Sequence, residues 1–116
     1  MSEAQTVTGK QGIARELTAF QHNILVILAK EPMYGLAIKR ELEEYYGTEV
    51  NHGRLYPNLD ELVGLGLIDK SELDKRTNQY ELTDDGYAAV MDQVEWTLEN
   101  IATDEERADD VRAILE

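Results

Sequence analysis

The hydrophobic repeat changes period twice along these 116 residues, and few small folds accommodate both changes. From Leu17 to Val63, apolar side chains recur every three or four residues, the spacing of one helix face. From Leu67 to Leu82 the pattern becomes strand-like, interrupted by a polar turn. From Tyr87 onward the helical spacing returns. A chain of this length makes one domain with a modest core.

The first helix is predicted from about Ala14 or Thr18 to Lys30, with Leu17, Phe20, Ile24, Ile27 and Leu28 on its apolar face and Pro32 beyond its end. A second follows near Tyr34 to Tyr46. Its buried stripe is Ile38, Leu42 and Tyr45, and Gly47 stops it. The third starts near Asn51, a good N-cap. Leu55, Leu59, Leu62 and Val63 form its core stripe, and Gly64 and Gly66 end it. Pro57 is tolerated only in the first turn or so, which places the start close by.

Leu67 to Leu73 reads as a strand, Asp74 to Asn78 as a turn, and Gln79 to Leu82 as the returning strand, with Tyr80 and Leu82 on one face. Thr83 caps a long fourth helix from Asp84 to about Ala102, striped by Tyr87, Val90, Val94, Leu98 and Ile101. Thr103 and Asp104 can cap a last helix carrying Ala108, Val111 and Leu115. The fold class is therefore mainly α with a small β-hairpin. Helix, helix, helix, hairpin, long helix is the order of a winged helix-turn-helix with a C-terminal dimerisation helix. Residues 1–12 read as a flexible arm, 13–83 as the DNA-binding domain and 84–116 as dimerisation helices.

Composition narrows the function. There is no cysteine, so disulfides, thiolate metal sites and thiol nucleophiles are excluded. No apolar run approaches the roughly 18 residues of a membrane span, and the polar N-terminus lacks a signal-peptide core. A cytoplasmic location is expected, with no membrane partner. Asp and Glu number 24 against 11 Lys and Arg, a net charge of −13. Residues 1–82 carry −4 of this and residues 83–116 carry −9. Such an acidic chain with so few lysines suits a high-salt cytoplasm, an ordinary acidic protein being the plainer alternative. His22 and His52 stand 30 residues apart, and no phosphate loop or catalytic triad is present, so no enzyme and no cofactor are expected.

Three motifs carry a family resemblance. The run Asn51-His52-Gly53-Arg54-Leu55-Tyr56-Pro57-Asn58-Leu59, then Leu62 and Gly64-Leu65-Gly66-Leu67-Ile68, resembles the recognition-helix signature of PadR-like transcriptional regulators. Tyr34-Gly35-x-x-Ile38 resembles that family's opening of the second helix. Arg76-x-x-x-Tyr80-x-Leu82-Thr83-x-x-Gly86 resembles its wing and the exit to the dimerisation helix. With the acidic composition, the chain resembles haloarchaeal oxidative-stress regulators of the RosR type. The resemblance implies a homodimer that binds a palindromic site in double-stranded DNA and regulates transcription. It also implies a DNA contact by Tyr34.

Residue chemistry leads to the same surface. Asn51, His52 and Arg54 can donate into a major groove, and Asn58 lies one turn further on; Arg suits guanine and Asn suits adenine. Asn51 also reads as a plain N-cap. Gly53 permits close approach. Tyr56 offers a hydroxyl to phosphate or packs in the core, with equal claim. Lys75 and Arg76 at the hairpin tip stand where a wing needs cations. Lys39 and Arg40 either clamp the backbone or pair with Glu43 or Glu44.

The fourth helix has more apolar surface than one domain covers, so Tyr87, Val90, Val94, Leu98 and Ile101 are assigned to a dimer interface. Trp96, off that stripe, either anchors the dimer or lines a ligand cavity, the anchor being preferred. Met33 and Met91 are expected in the interior. The acids Glu43, Glu44, Glu49, Asp60 and Glu61 lie on or beside the DNA-facing helices, so potassium ions are expected between them and phosphates. The other readings are a winged-helix adaptor that binds protein and not DNA, and an effector- or metal-sensing repressor with His and carboxylate ligands.

Overall fold

The computed structural model describes residues 15–74 and 77–116. The expected N-terminal arm, and Lys75 and Arg76 of the wing, lie outside the described residues. The elements are α1 (Ala19–Leu28), β1 (Met33–Tyr34), α2 (Gly35–Tyr46), α3 (His52–Gly64), β2 (Ile68–Asp74), β3 (Thr77–Leu82), α4 (Asp84–Ile101) and α5 (Glu105–Ile114). This is the winged helix-turn-helix order expected from the hydrophobic repeat.

Four of the five described helices start where a side chain satisfies a free N–H group, α2 being the one without a side-chain cap. Thr18 and Gln21 form a reciprocal capping box on α1, both bonds 3.1 Å. Asn51 accepts from Gly53 N at the start of α3. Asp104 accepts from Arg107 N at the start of α5. Thr83 does two jobs. Its hydroxyl accepts from Gly86 N at 2.9 Å and donates to the Gly66 carbonyl at 2.8 Å, tying the end of α3 to the start of α4. Gly66 itself is left-handed, with φ 79°. Gly86 is needed for space: a Cβ there would lie 2.1 Å from the Leu67 carbonyl oxygen.

The core gathers one face of every helix through α4. Ile24 and Leu25 of α1, Ile38 and Leu42 of α2, and Leu55, Leu59 and Leu62 of α3 are fully enclosed, with Leu67, Ile68 and Tyr80 from the wing and Ala89 and Val90 from α4. Val63 is half-buried against this cluster.

Several expectations are corrected. Tyr45 is 72% exposed; Tyr46, one residue on, stacks on Phe20 at 6.1 Å instead. Spacings of three and four are both helical, and the fourth position won. Tyr34 is the N-cap of α2, as expected, but also sits in β1, an unforeseen third strand in the order β1-β3-β2 that pairs Met33 with Tyr80 and Tyr34 with Gln79. Pro57 is the sixth residue of α3, a turn later than expected, and has no N–H to give the Gly53 carbonyl. Met33 is buried, but Met91 is exposed. In α5, Ala108 and Val111 are only half-buried, and Leu115, just beyond its end, is exposed.

α4 buries one face and exposes the other, and of the expected stripe Val90 alone departs from the exposed face. Gly86, Ala89, Val90 and Asp92 are buried against the domain. Of the stripe, only Val90 is covered; Tyr87, Val94, Leu98 and Ile101 are exposed, and so is Trp96. No described helix is long and apolar enough to cross a membrane.

Candidate nucleic-acid interface

The exposed start of α3 lies beside the wing. Between them runs a groove of about 500 Å³ lined by Tyr34, Gly35, Leu36, His52, Tyr56, Thr77, Asn78 and Tyr80. The sequence-derived residues Tyr34, His52 and Tyr56 thus meet in one place. Tyr56 is half-buried against the core, and its ring stacks on His52 with centroids 5.6 Å apart. Its hydroxyl lies so close to α2 that a Cβ on Gly35 would stand 2.7 Å from it. The two readings of Tyr56 are therefore compatible: the ring packs, and the hydroxyl edges the groove.

A helix advances 100° per residue, so the residues of α3 sort into faces. Leu55, Leu59 and Leu62 point inward. His52, Tyr56 and Val63 flank the wing. Arg54, Asn58 and Glu61 flank α1. Gly53, Pro57, Asp60 and Gly64 form the outward ridge.

The flank facing α1 is held by partners. The Arg54 guanidinium lies over the Phe20 ring, 4.0 Å from its centroid. The rest of this side chain is exposed. Asn58 Nδ2 donates to the Arg54 carbonyl at 2.7 Å, and Asn58 Oδ1 accepts from Gln21 Nε2 at 3.0 Å. Gln21 Nε2 also donates to Glu61 Oε1 at 3.0 Å. Gln21 is buried, and sequence reasoning missed it. The available signal was its position, since it interrupts the apolar stripe between Leu17 and Ile24.

Lys39 resolves to one of its two readings within the chain. Its ammonium bonds Glu43 Oε2 at 2.6 Å, and the same oxygen accepts from Val50 N at 3.0 Å. The Lys39 ammonium first, and then the Val50 N–H, hold the Glu43 carboxyl below the usual range. Arg40 is exposed. Lys70 of β2 reaches Asp60 at 3.9 Å.

A second unexpected feature lies away from this face. Arg15 grips Asp92 with two bonds of 3.1 Å, and Asp92 is buried. Gln93 and Trp96 complete a cavity of about 410 Å³ beside this pair. The half-buried His22 stands nearby, and burial lowers its pKa. Among the described residues, no group of three His or carboxylate side chains could hold a metal ion.

The comparisons with known proteins agree with this geometry. Among solved structures, RosR from H. salinarum is 65% identical, with a TM-score of 0.85 over 88% of this chain and 93% of that one. A PadR-like transcription factor from Bacteroides fragilis is 27% identical, with a TM-score of 0.62 over 70% of this chain and 82% of that one. Among curated proteins, the transcriptional activator GvpE of Haloferax mediterranei is 29% identical over 80 residues, 69% of this chain. The chain spans 40% of the length of that curated relative. Residues 24–92 match the transcriptional regulator PadR-like family, from α1 through the recognition helix and wing into α4. The chain belongs to the PadR-like family of transcriptional regulators.

Proposed function

We propose that this chain binds operator DNA sequence-specifically as a homodimer, with the start of α3 in the major groove and the wing on the flanking backbone. The observation that carries the reading is the shared face of α3 and the wing. Asn51, His52, Gly53 and Arg54 are all exposed there, beside the groove that holds Tyr34 and Tyr56. The Arg54 guanidinium and the Tyr56 hydroxyl are donors suited to bases and phosphates. Asn58 contributes through the α3 setting as well as through any base contact. Lys75 and Arg76 would supply the wing's cations, and Lys39 would reach the backbone only by sharing its charge with Glu43.

The homodimer rests on α4. Tyr87, Val94, Trp96, Leu98 and Ile101 expose apolar surface along one helix, more than a small domain leaves bare without a partner. Pairing α4 with its copy would set two recognition helices about one DNA turn apart, which calls for a palindromic operator. Potassium ions would sit between the surface acids and the phosphates. The protein would work in the cytoplasm without catalysis, and its signal would belong to the response to oxidative stress, as in the regulators it resembles.

The test is a gel shift with the chain's own upstream DNA in molar KCl, paired with sedimentation. Expected are a specific shift and twice the chain mass. Leu98→Asp should yield the monomer and lose operator affinity. A wild-type monomer at micromolar concentration would overturn the dimer. Absence of any specific shift would favour the adaptor reading, which the charge of −13 supports.

A further inference from the structure

The outward ridge of α3 is almost without side-chain chemistry. Gly53, Pro57 and Gly64 carry no hydrogen-bonding side chain, so Asp60 is the only residue of the ridge with polar side-chain atoms. It is exposed. An acid there faces a strong cost, because phosphates line both walls of the groove. The position needs a compensating contact, and the neighbouring residues supply the means. Two glycines and a proline leave the ridge low, so the helix can approach the base edges closely. A short aspartate reaches those edges only in such an approach.

Resting on the proposed docking of α3 in the major groove, we infer that Asp60 is a specificity-determining residue that selects cytosine. Cytosine presents an amino donor at N4 in the major groove and no acceptor on its own edge, the guanine O6 lying on the far side of the amino group, so it suits a carboxylate. Adenine also has an amino group, but its N7 acceptor repels the second carboxylate oxygen. Guanine and thymine present acceptors and are rejected. Lys70 of β2, 3.9 Å from Asp60 Oδ1, offsets part of the charge from the wing side. The flank residues Arg54 and Asn58 are tied to α1 through Phe20 and Gln21, which leaves the centre of the ridge to Asp60.

The experiment is selection from a randomised duplex library in molar KCl with the wild type, Asp60→Asn and Asp60→Ala, each checked for fold by circular dichroism. The wild type should enrich cytosine at one position of each half-site. Asp60→Ala should lose that preference, a discrimination of roughly 5- to 150-fold. Asp60→Asn should move the same position toward adenine, which an amide reads through N6 and N7. Identical base profiles for wild type and Asp60→Ala would overturn the assignment, as would a uniform gain in affinity on every sequence, the mark of simple charge removal. A wild type that enriches no sequence at all would instead overturn the docking of α3, and this assignment with it.

Discussion

Gln21 of α1 donates from one buried amide nitrogen to both Asn58 Oδ1 and Glu61 Oε1 of α3, at 3.0 Å each, while its own carbonyl accepts from Thr18 N. One side chain thus caps the first helix and sets the rotation of the recognition helix. Gln21→Leu keeps the volume and removes both jobs, leaving two acceptors short of a donor in a partly enclosed place. The expected loss is about 1–3 kcal/mol of stability, read as a lower urea midpoint. Operator affinity should fall further than affinity for random DNA, because a loosened α3 loses its register on the bases before its attraction to phosphate. Equal losses on both DNAs would reduce Gln21 to a structural residue.

Gly35 and Tyr56 meet across the groove beside the wing. A methyl at position 35 would lie 2.7 Å from Tyr56 Oη and 3.0 Å from Cε1. Gly35→Ala should therefore cost about 1–3 kcal/mol, the usual range for overpacking, and push the Tyr56 ring toward the DNA face. Adding Tyr56→Phe removes the nearest atom, so the double variant should recover part of the stability lost by Gly35→Ala. A double-mutant cycle by urea denaturation checks this, and strict additivity would contradict the contact.

The fold was largely legible because its signals are local. Thr18, Asn51, Thr83 and Asp104 cap the helices where polar residues precede apolar repeats, and Gly47 and Gly66 end helices in left-handed turns. What local pattern missed is long-range. The pairing of Met33 with Tyr80 joins residues far apart through a strand of two residues, too short to show alternation. The grip of Arg15 on Asp92 spans 77 residues. The choice of Tyr46 over Tyr45 depends on where Phe20 sits, which neither spacing reveals. For the candidate site, residue types near Asn51 pointed to the start of α3, which the fold leaves exposed beside the groove at the wing. Their division between Gln21-bound, wing-facing and outward groups required the packed structure.

Glu43 provides a pH test. Its carboxyl is depressed by the Lys39 ammonium and the Val50 N–H. An acid whose pKa is lower in the folded state contributes stability fully above its unfolded value, and that contribution is lost as pH falls through the folded one. Stability should thus decline on acidification below about pH 4.5, with Glu43 sharing in the loss. Glu43→Gln should be less stable at neutral pH and should show a shallower decline from about pH 5 to pH 3. Melting temperatures of the two proteins across that range make the comparison. Parallel curves would show that Glu43 does not titrate in this linkage.

The last expectation concerns salt. An ordinary DNA-binding protein gains affinity by releasing cations condensed on the phosphates, so its affinity falls steeply as salt rises. This chain carries −13 and must bring acids near phosphate when α3 docks. Glu43 is already satisfied by Lys39 and Val50, Glu61 accepts from Gln21 and Asp60 faces Lys70, so the exposed Glu44 and Glu49 are the acids expected to meet the DNA field. Potassium held or taken up between them and the phosphates would relieve the repulsion and cancel part of the cation release. The slope of log affinity against log salt should then be shallow, flat or even positive. Titration of operator DNA from about 0.5 to 3 M KCl measures it. Replacing Glu44 and Glu49 together by Gln removes two acids without touching the core and should tilt the slope toward the ordinary negative sign. A wild-type slope as steep as that of a protein making six or more phosphate contacts would refute the idea. An unchanged slope in the double variant would overturn the assignment of potassium sites to Glu44 and Glu49.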